Sequence, residues 1–249
     1  MIIGVYKRRL VALVLTFGML FVMFCGCKKN EETDAVKKQE RISAHTIENV
    51  PVYVQQELPA GCEVYAGIVT LQYLGFDIDE HEFSEKYLIQ SPISYDYLER
   101  YGPDMNSAYA GTVTNGYGIY SPAMAKSMNR YLETTNSKKR AKVVKGETLD
   151  YLCQKYVAKD IPVMVWATTY MHEPYVKAEW IVDYVDENAD TELGGIEQWM
   201  QNEHCLVLMG FDEDYYYFAD SVSGAVTSYE KEVSELRFEQ LGSQAIVVK

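Results

Sequence analysis

His204-Cys205-Leu206-Val207-Leu208-Met209-Gly210-Phe211-Asp212-Glu213-Asp214-Tyr215-Tyr216-Tyr217-Phe218-Ala219-Asp220 is the stretch on which the fold turns. An apolar run from Cys205 to Gly210 and a second from Tyr215 to Ala219 flank the acidic triplet Asp212-Glu213-Asp214. Two such runs separated by a short polar turn predict an antiparallel hairpin. Ala225 to Tyr229, Ile161 to Trp166 and the closing run Gln244 to Val248 predict further strands. Upstream the period changes. From Cys62 onward, Val64, Ile68 and Leu71 share one helical face, Tyr65, Val69 and Leu74 flank it, and Gly75 is a stop signal. Asp79 with Glu82 three residues on predicts a capped helix over 80–88. Ser121-Pro122 opens a helix to about Leu132, and Thr148 opens another holding Leu149, Leu152 and Tyr156. Pro51 to Val54 predicts a short strand, Leu58-Pro59-Ala60-Gly61 a turn, and residues 90–120 a long loop of the kind that carries function. Helices first and antiparallel strands second predict an α+β domain, not a βαβ one.

The N-terminus reads differently. Lys7-Arg8-Arg9 precedes an apolar stretch from Leu10 to Phe24, which ends in Phe24-Cys25-Gly26-Cys27. A small residue directly before a cysteine resembles a bacterial lipobox. That resemblance implies cleavage before Cys27, diacylation of Cys27, and a mature chain anchored to the membrane outside the cytoplasm. The alternative is an uncleaved signal anchor. Residues 28–45 hold almost no large apolar side chain and cannot offset their ordering entropy by burial. The expected organisation is a signal peptide over 1–26, a flexible tether over 27–45 and one domain over 46–249, a size that supports a single core.

The 249 residues carry a formal charge of -13. Loss of residues 1–26 removes Lys7, Arg8 and Arg9 and no acid, leaving 20 basic against 36 acidic residues, or -16. Phosphates would be repelled, so nucleic acid is not an expected partner. Outside the targeting segment stand Cys62, Cys153 and Cys205, an odd number with no disulfide framework. His45, His81, His172 and His204 form no HExxH or CxxC…H pattern, so neither a metal nor any other cofactor is expected. Nothing in the sequence signals oligomerisation.

Four residues suit thiol chemistry. Cys62 stands where a turn becomes a helix, and the free N–H groups and dipole there stabilise a thiolate, predicting a pKa below the usual value of roughly 8.5. Gly61 before it permits a sharp turn. Gln56, six residues upstream, could turn a side-chain amide toward a developing oxyanion, while the adjacent Gln55 would point away. His204 opens a core strand, a rigid place for a general base. Asp220 ends the next strand of the hairpin, where it could accept the second ring N–H of His204 and fix its tautomer. This geometry predicts a Cys62 sulfur within about 4 Å of His204. Cys205, Cys153, His172, His45 and His81 read as core, loop or surface residues.

As a set, Gln56…Gly61-Cys62-Glu63, Asn115-Gly116-Tyr117-Gly118, Ile161-Pro162-Val163, His204-Cys205-Leu206-Val207-Leu208 and Phe218-Ala219-Asp220-Ser221 resemble the peptidase family thirty-nine-like domain. Its relatives include the bacteriocin leader-processing peptidases of the papain-like clan. The resemblance spans about residues 46–249 and implies a papain-like cysteine peptidase fold acting on a peptide or protein substrate. It implies Cys62 as nucleophile, His204 as base, Gln56 as oxyanion donor and Asp220 as the residue orienting His204. Leader-processing relatives have Asp-Cys-Gly around the nucleophile; Gly61-Cys62-Glu63 resembles a lipoprotein-type branch instead. Two other readings use the same residues: a non-catalytic lipoprotein binding peptide or cell-envelope ligands, and an acyl transfer such as amide hydrolysis or crosslinking.

Overall fold

The computed structural model describes residues 41–187 and 189–249. In chain order the elements are β1 (His45–Thr46), α1 (Cys62–Tyr73), α2 (Glu80–Lys86), β2 (Gln90–Ser91), β3 (Ser94–Asp96), β4 (Glu99–Pro103), β5 (Tyr109–Ala110) and α3 (Ser121–Thr134). Then come β6 (Ala141–Lys145), α4 (Leu149–Lys155), β7 (Val163–Thr168), β8 (Tyr175–Tyr184), β9 (Ile196–Gln201), β10 (Glu203–Phe211), β11 (Tyr215–Asp220), β12 (Ala225–Glu230), α5 (Lys231–Gln240) and β13 (Gln244–Val248).

The main sheet runs β12-β11-β10-β7-β13-β6, with β1 also on β10, and its pairs are antiparallel. β7, β10 and β13 are buried along their whole length, which is why they read as continuous apolar runs. α1 packs on β10 and β7, α3 on β6 and β13, and α5 on β7. This is the α+β arrangement expected, with helices against a largely C-terminal antiparallel sheet.

Local chemistry sets the helix starts. Asp79 accepts the Glu82 N–H at 2.7 Å, Thr148 accepts the Tyr151 N–H at 3.1 Å, and Pro122 stands in the first turn of α3. Asp212 Oδ1 accepts from the N–H groups of Asp214 and Tyr215 at 2.9 and 2.8 Å, closing the β10–β11 turn.

Several expectations need correction. Pro51 to Val54 forms no strand; it leads into Gln55, whose N–H reaches Ser221 O at 2.9 Å. The 90–120 segment is not a plain loop. Its β3 and β4 join β8 and β9 in a second sheet, ordered β3-β4-β8-β9, over a small core of Met105, Ala110, Ala178 and Trp180. Tyr117 packs there against Trp180, tilted, and Trp199, edge to face, with ring centroids 5.0 and 5.2 Å apart. The end of the expected tether belongs to the domain: Arg41 pairs with Asp150 at 2.5 Å, Ile42 exchanges hydrogen bonds with Gln154, and His45 sits on β1. The signal-peptide region, Cys27 and the tether up to residue 40 lie outside the described residues.

Candidate active site

Gly61 caps α1, and the reason for glycine is close approach. A Cβ there would lie 2.8 Å from Leu58 Cβ and 3.2 Å from Leu58 O. The turn is clamped from the other side, where Ala60 N donates to Val113 O at 2.9 Å and the Tyr109 hydroxyl donates to Ala60 O. Cys62 is thus fixed as the first residue of the helix, 8% exposed.

β10 and β11 supply the other half. Their register pairs Val207 with Ala219 and Leu208 with Phe218. Continued toward the strand end, it puts Asp220 opposite Leu206, on the sheet face that His204 shares. The result is a hydrogen bond of 2.8 Å from His204 Nε2 to Asp220 Oδ1, with the two side chains only 2% and 1% exposed. Val222 N donates to the same oxygen at 2.9 Å. Burial pushes the Asp220 carboxyl up, but the His204 bond and charge, with the N–H groups of Val222 and Ser223, outweigh it and hold the pKa below its usual value. Nε2 is committed to Asp220, which leaves Nδ1 as the ring nitrogen for proton transfer.

The thiol does not meet this pair: His204 and Asp220 share one face of β10 and β11, while Cys62 lies by Cys205 and Glu203, which alternate to the other face. Among the described residues no hydrogen bond joins Cys62 to His204; Cys62 Sγ donates to Glu63 Oε2 at 3.3 Å. The expected thiolate stabilisation is overturned with it. Burial pushes the Cys62 thiol well up, the charges of Glu63, Glu203 and Cys205 add to the rise, and the Cys205 N–H alone works the other way. The helix terminus is present, but an apolar setting and two acids outweigh it. That Cys205 N–H also marks position: the thiol lies against the backbone of β10 one residue past His204.

The sequence gives Glu63 no role beyond its departure from Asp-Cys-Gly, and it does not mark Glu203 at all. Glu63 is fully buried, and its Oε1 accepts the Ile119 N–H at 2.9 Å. Burial pushes its pKa up to about 7. Glu203 is 9% exposed, raised first by burial and then by the Glu63 charge, and its Oε1 has no hydrogen-bond partner. Both carboxylates press on Gly118, at φ +139; a Cβ there would lie 2.6 Å from Glu63 Oε1 and 3.1 Å from Glu203 Oε2. Although no metal motif is present, donor atoms of Cys62, Glu63 and Glu203 all lie within 4.8 Å of one another. The one available signal was positional: alternation along β10 puts Glu203 on the face of Cys205, toward α1.

The two glutamines take opposite parts. Gln55 is built into the frame, with Oε1 accepting from Ser221 Oγ at 2.7 Å and Nε2 donating to Pro59 O at 3.0 Å. Gln56 is exposed, and among the described residues its side chain makes no hydrogen bond, so its amide is uncommitted. Cys153 and Cys205 are buried free thiols. His45 pairs with Asp160 at 2.8 Å and His81 with Glu57 at 2.7 Å, both away from this site, and His172 is exposed.

Residues 47–246 match the model of the Peptidase_C39 like family. The chain belongs to that family. A curated relative is YvpB of Bacillus subtilis (strain 168), itself uncharacterized, 24% identical over 228 residues that cover 88% of this chain and 83% of YvpB. Among solved structures, a C39-like candidate peptidase from Bacillus anthracis superposes with a TM-score of 0.68 at 23% identity, over 84% of this chain and 98% of that one. The fold is therefore that of the C39-like peptidases.

Proposed function

We propose that this C39-like domain is a thiol hydrolase that cleaves peptide bonds through Cys62, His204 and Asp220. The observation that carries the reading is the buried 2.8 Å pair of His204 and Asp220, with Cys62 under the influence of the next residue of the strand, the Cys205 N–H. Buried imidazole–carboxylate pairs of this kind fix a tautomer and support an imidazolium.

Alternation along β10 sets His204 on the face opposite Cys205, so the reaction starts with a turn of the Cys62 side chain away from Glu63 and a shift at the start of β10 that brings His204 Nδ1 to the thiol. His204 Nδ1 takes the thiol proton, and the sulfur forms a bond to the substrate carbonyl carbon. The oxyanion is met by the Cys62 N–H and, by proposal, the free amide of Gln56. The C–N bond breaks as His204 returns the proton to the leaving amine. Water, deprotonated by His204, then cleaves the thioester and restores the thiol. The Glu63 hydrogen bond and the raised thiol pKa describe a resting state, so the cost of leaving it is part of the barrier.

The same two observations favour a second reading, a peptidase-like domain that binds peptide or cell-envelope ligands without turnover. Hydrolysis separates the two. The full chain, incubated with a mixed peptide library, should release new N-termini, and Cys62→Ser should abolish the release. Cleavage that survives Cys62→Ser, or none with any peptide, would overturn the peptidase reading. For placement we propose a lipid anchor at Cys27, supported by the Lys7–Phe24 leader and the Gly26-Cys27 junction.

A further inference from the structure

We propose that Cys62, Glu63 and Glu203 form a binding site for a thiophilic divalent cation of the Zn2+ class, which caps the nucleophile and holds it inactive. The inhibitory consequence rests on the thiol-hydrolase reading; the site itself does not.

Geometry comes first. One donor atom from each residue lies within 4.8 Å of the others, and Cys62 Sγ stands 3.3 Å from Glu63 Oε2. Sulfur at about 2.3 Å and oxygen at about 2.0–2.2 Å from a tetrahedral zinc stand roughly 3.5 Å apart, so this pair is already spaced for one ion.

Glu203 supplies an independent observation. It is 9% exposed, yet Oε1 has no hydrogen-bond partner, while Oε2 faces Gly118. A buried carboxylate oxygen without a partner calls for an explanation, and an ion is one. Charge points the same way. The groups acting on these three acids are one another, Cys205 and backbone N–H groups; no lysine or arginine is among them. Three acidic groups this deep stay ionised together only beside a cation, and a divalent ion that displaces their protons would supply that charge. Oxygen donors alone suit magnesium or calcium, whereas a thiolate selects softer metals. Three donors fall short of the four of a closed structural site, as suits an exchangeable ion.

On binding, the Cys62 S–H bond breaks, its proton and any held by the Glu63 and Glu203 carboxyls leave to solvent, and a sulfur lone pair forms the S–metal bond. No oxidant or reductant is involved. The lone pair that would attack a carbonyl is then engaged on the metal.

The test uses the full chain, stripped of metal by a chelator, titrated with Co2+ as the optical probe and with Zn2+ as competitor. We expect one Co2+ per chain with a sulfur-to-metal charge-transfer band, displaced by one equivalent of Zn2+. The band should vanish in Cys62→Ser. Glu203→Gln should weaken binding about tenfold or more, since an outer partner alone commonly costs that much. Thermal melts check that each variant folds, and Glu63→Gln serves if Glu203→Gln does not. No sulfur band, or equal affinity in the glutamine variants, would overturn the site. His204-dependent labelling of Cys62 in metal-free protein is measured alongside. If the band appears without such labelling, the hydrolase reading fails and the cation site stands; labelling without the band leaves the reverse.

Discussion

At Cys62 two influences oppose each other. The start of α1 favours a thiolate, while burial first and the acids Glu63 and Glu203 after it favour the thiol, and these prevail. Their arrangement depends on Gly118. Gly118→Ala adds a Cβ 2.6 Å from Glu63 Oε1 at a positive φ, so it should destabilise the fold by about 1–3 kcal/mol. Urea unfolding of the variant against the parent measures this, and equal midpoints would show that the carboxylates are free to move. At this scale the His204–Asp220 pairing was legible, because the two stand near the ends of hairpin strands, while the expected meeting of Cys62 with His204 is not found. The direction of the thiol pKa was not legible. It depends first on burial by the rest of the fold and then on charges such as Glu203, which the chain brings back from 141 positions away, a pairing no local pattern encodes.

Among the elements, the β10–β11 hairpin and α1 follow from continuous apolar runs and a helical period, which survive because both are buried. β8 was missed for the opposite reason. Ala178, Trp180 and Val182 face inward while Lys177, Glu179 and Asp183 alternate with them, so the strand shows as a period of two and not as an apolar run. α5 buries only Ser234 and Phe238, too little to mark a face. The second sheet holds a titrating group of its own. Burial, with a contribution from Asp104, pushes Glu197 on β9 up to about 7, while the Met105 N–H opposes the rise. A folded pKa above the unfolded one means that the native state keeps a proton the unfolded chain gives up. That contribution is fully present below the ordinary carboxylate range, near 4.3, and is lost as pH rises through the folded value. Glu197→Gln should therefore flatten part of the fall in Tm between about pH 4 and pH 8. Melting curves across that window check it; an unchanged slope would place Glu197 in contact with water.

For the whole molecule, the family match spans residues 47–246. Among the described residues no helix is long and apolar enough to cross a membrane. A lipid on Cys27 is the anchor we propose, and Cys27→Ala should shift the protein from the membrane fraction to the soluble one or block its maturation. Unchanged membrane association would count against lipidation.

The central claim is that Cys62 is a nucleophile served by His204 and Asp220. The most direct measurement is covalent trapping of metal-free full chain with a peptide-based electrophile, with the adduct mapped by mass spectrometry. The account predicts an adduct on Cys62, little on Cys153 or Cys205, and a rate lower by about a hundredfold or more in His204→Ala, as loss of a general base implies. Equal slow labelling of all three cysteines, or a Cys62 rate indifferent to His204, would contradict it.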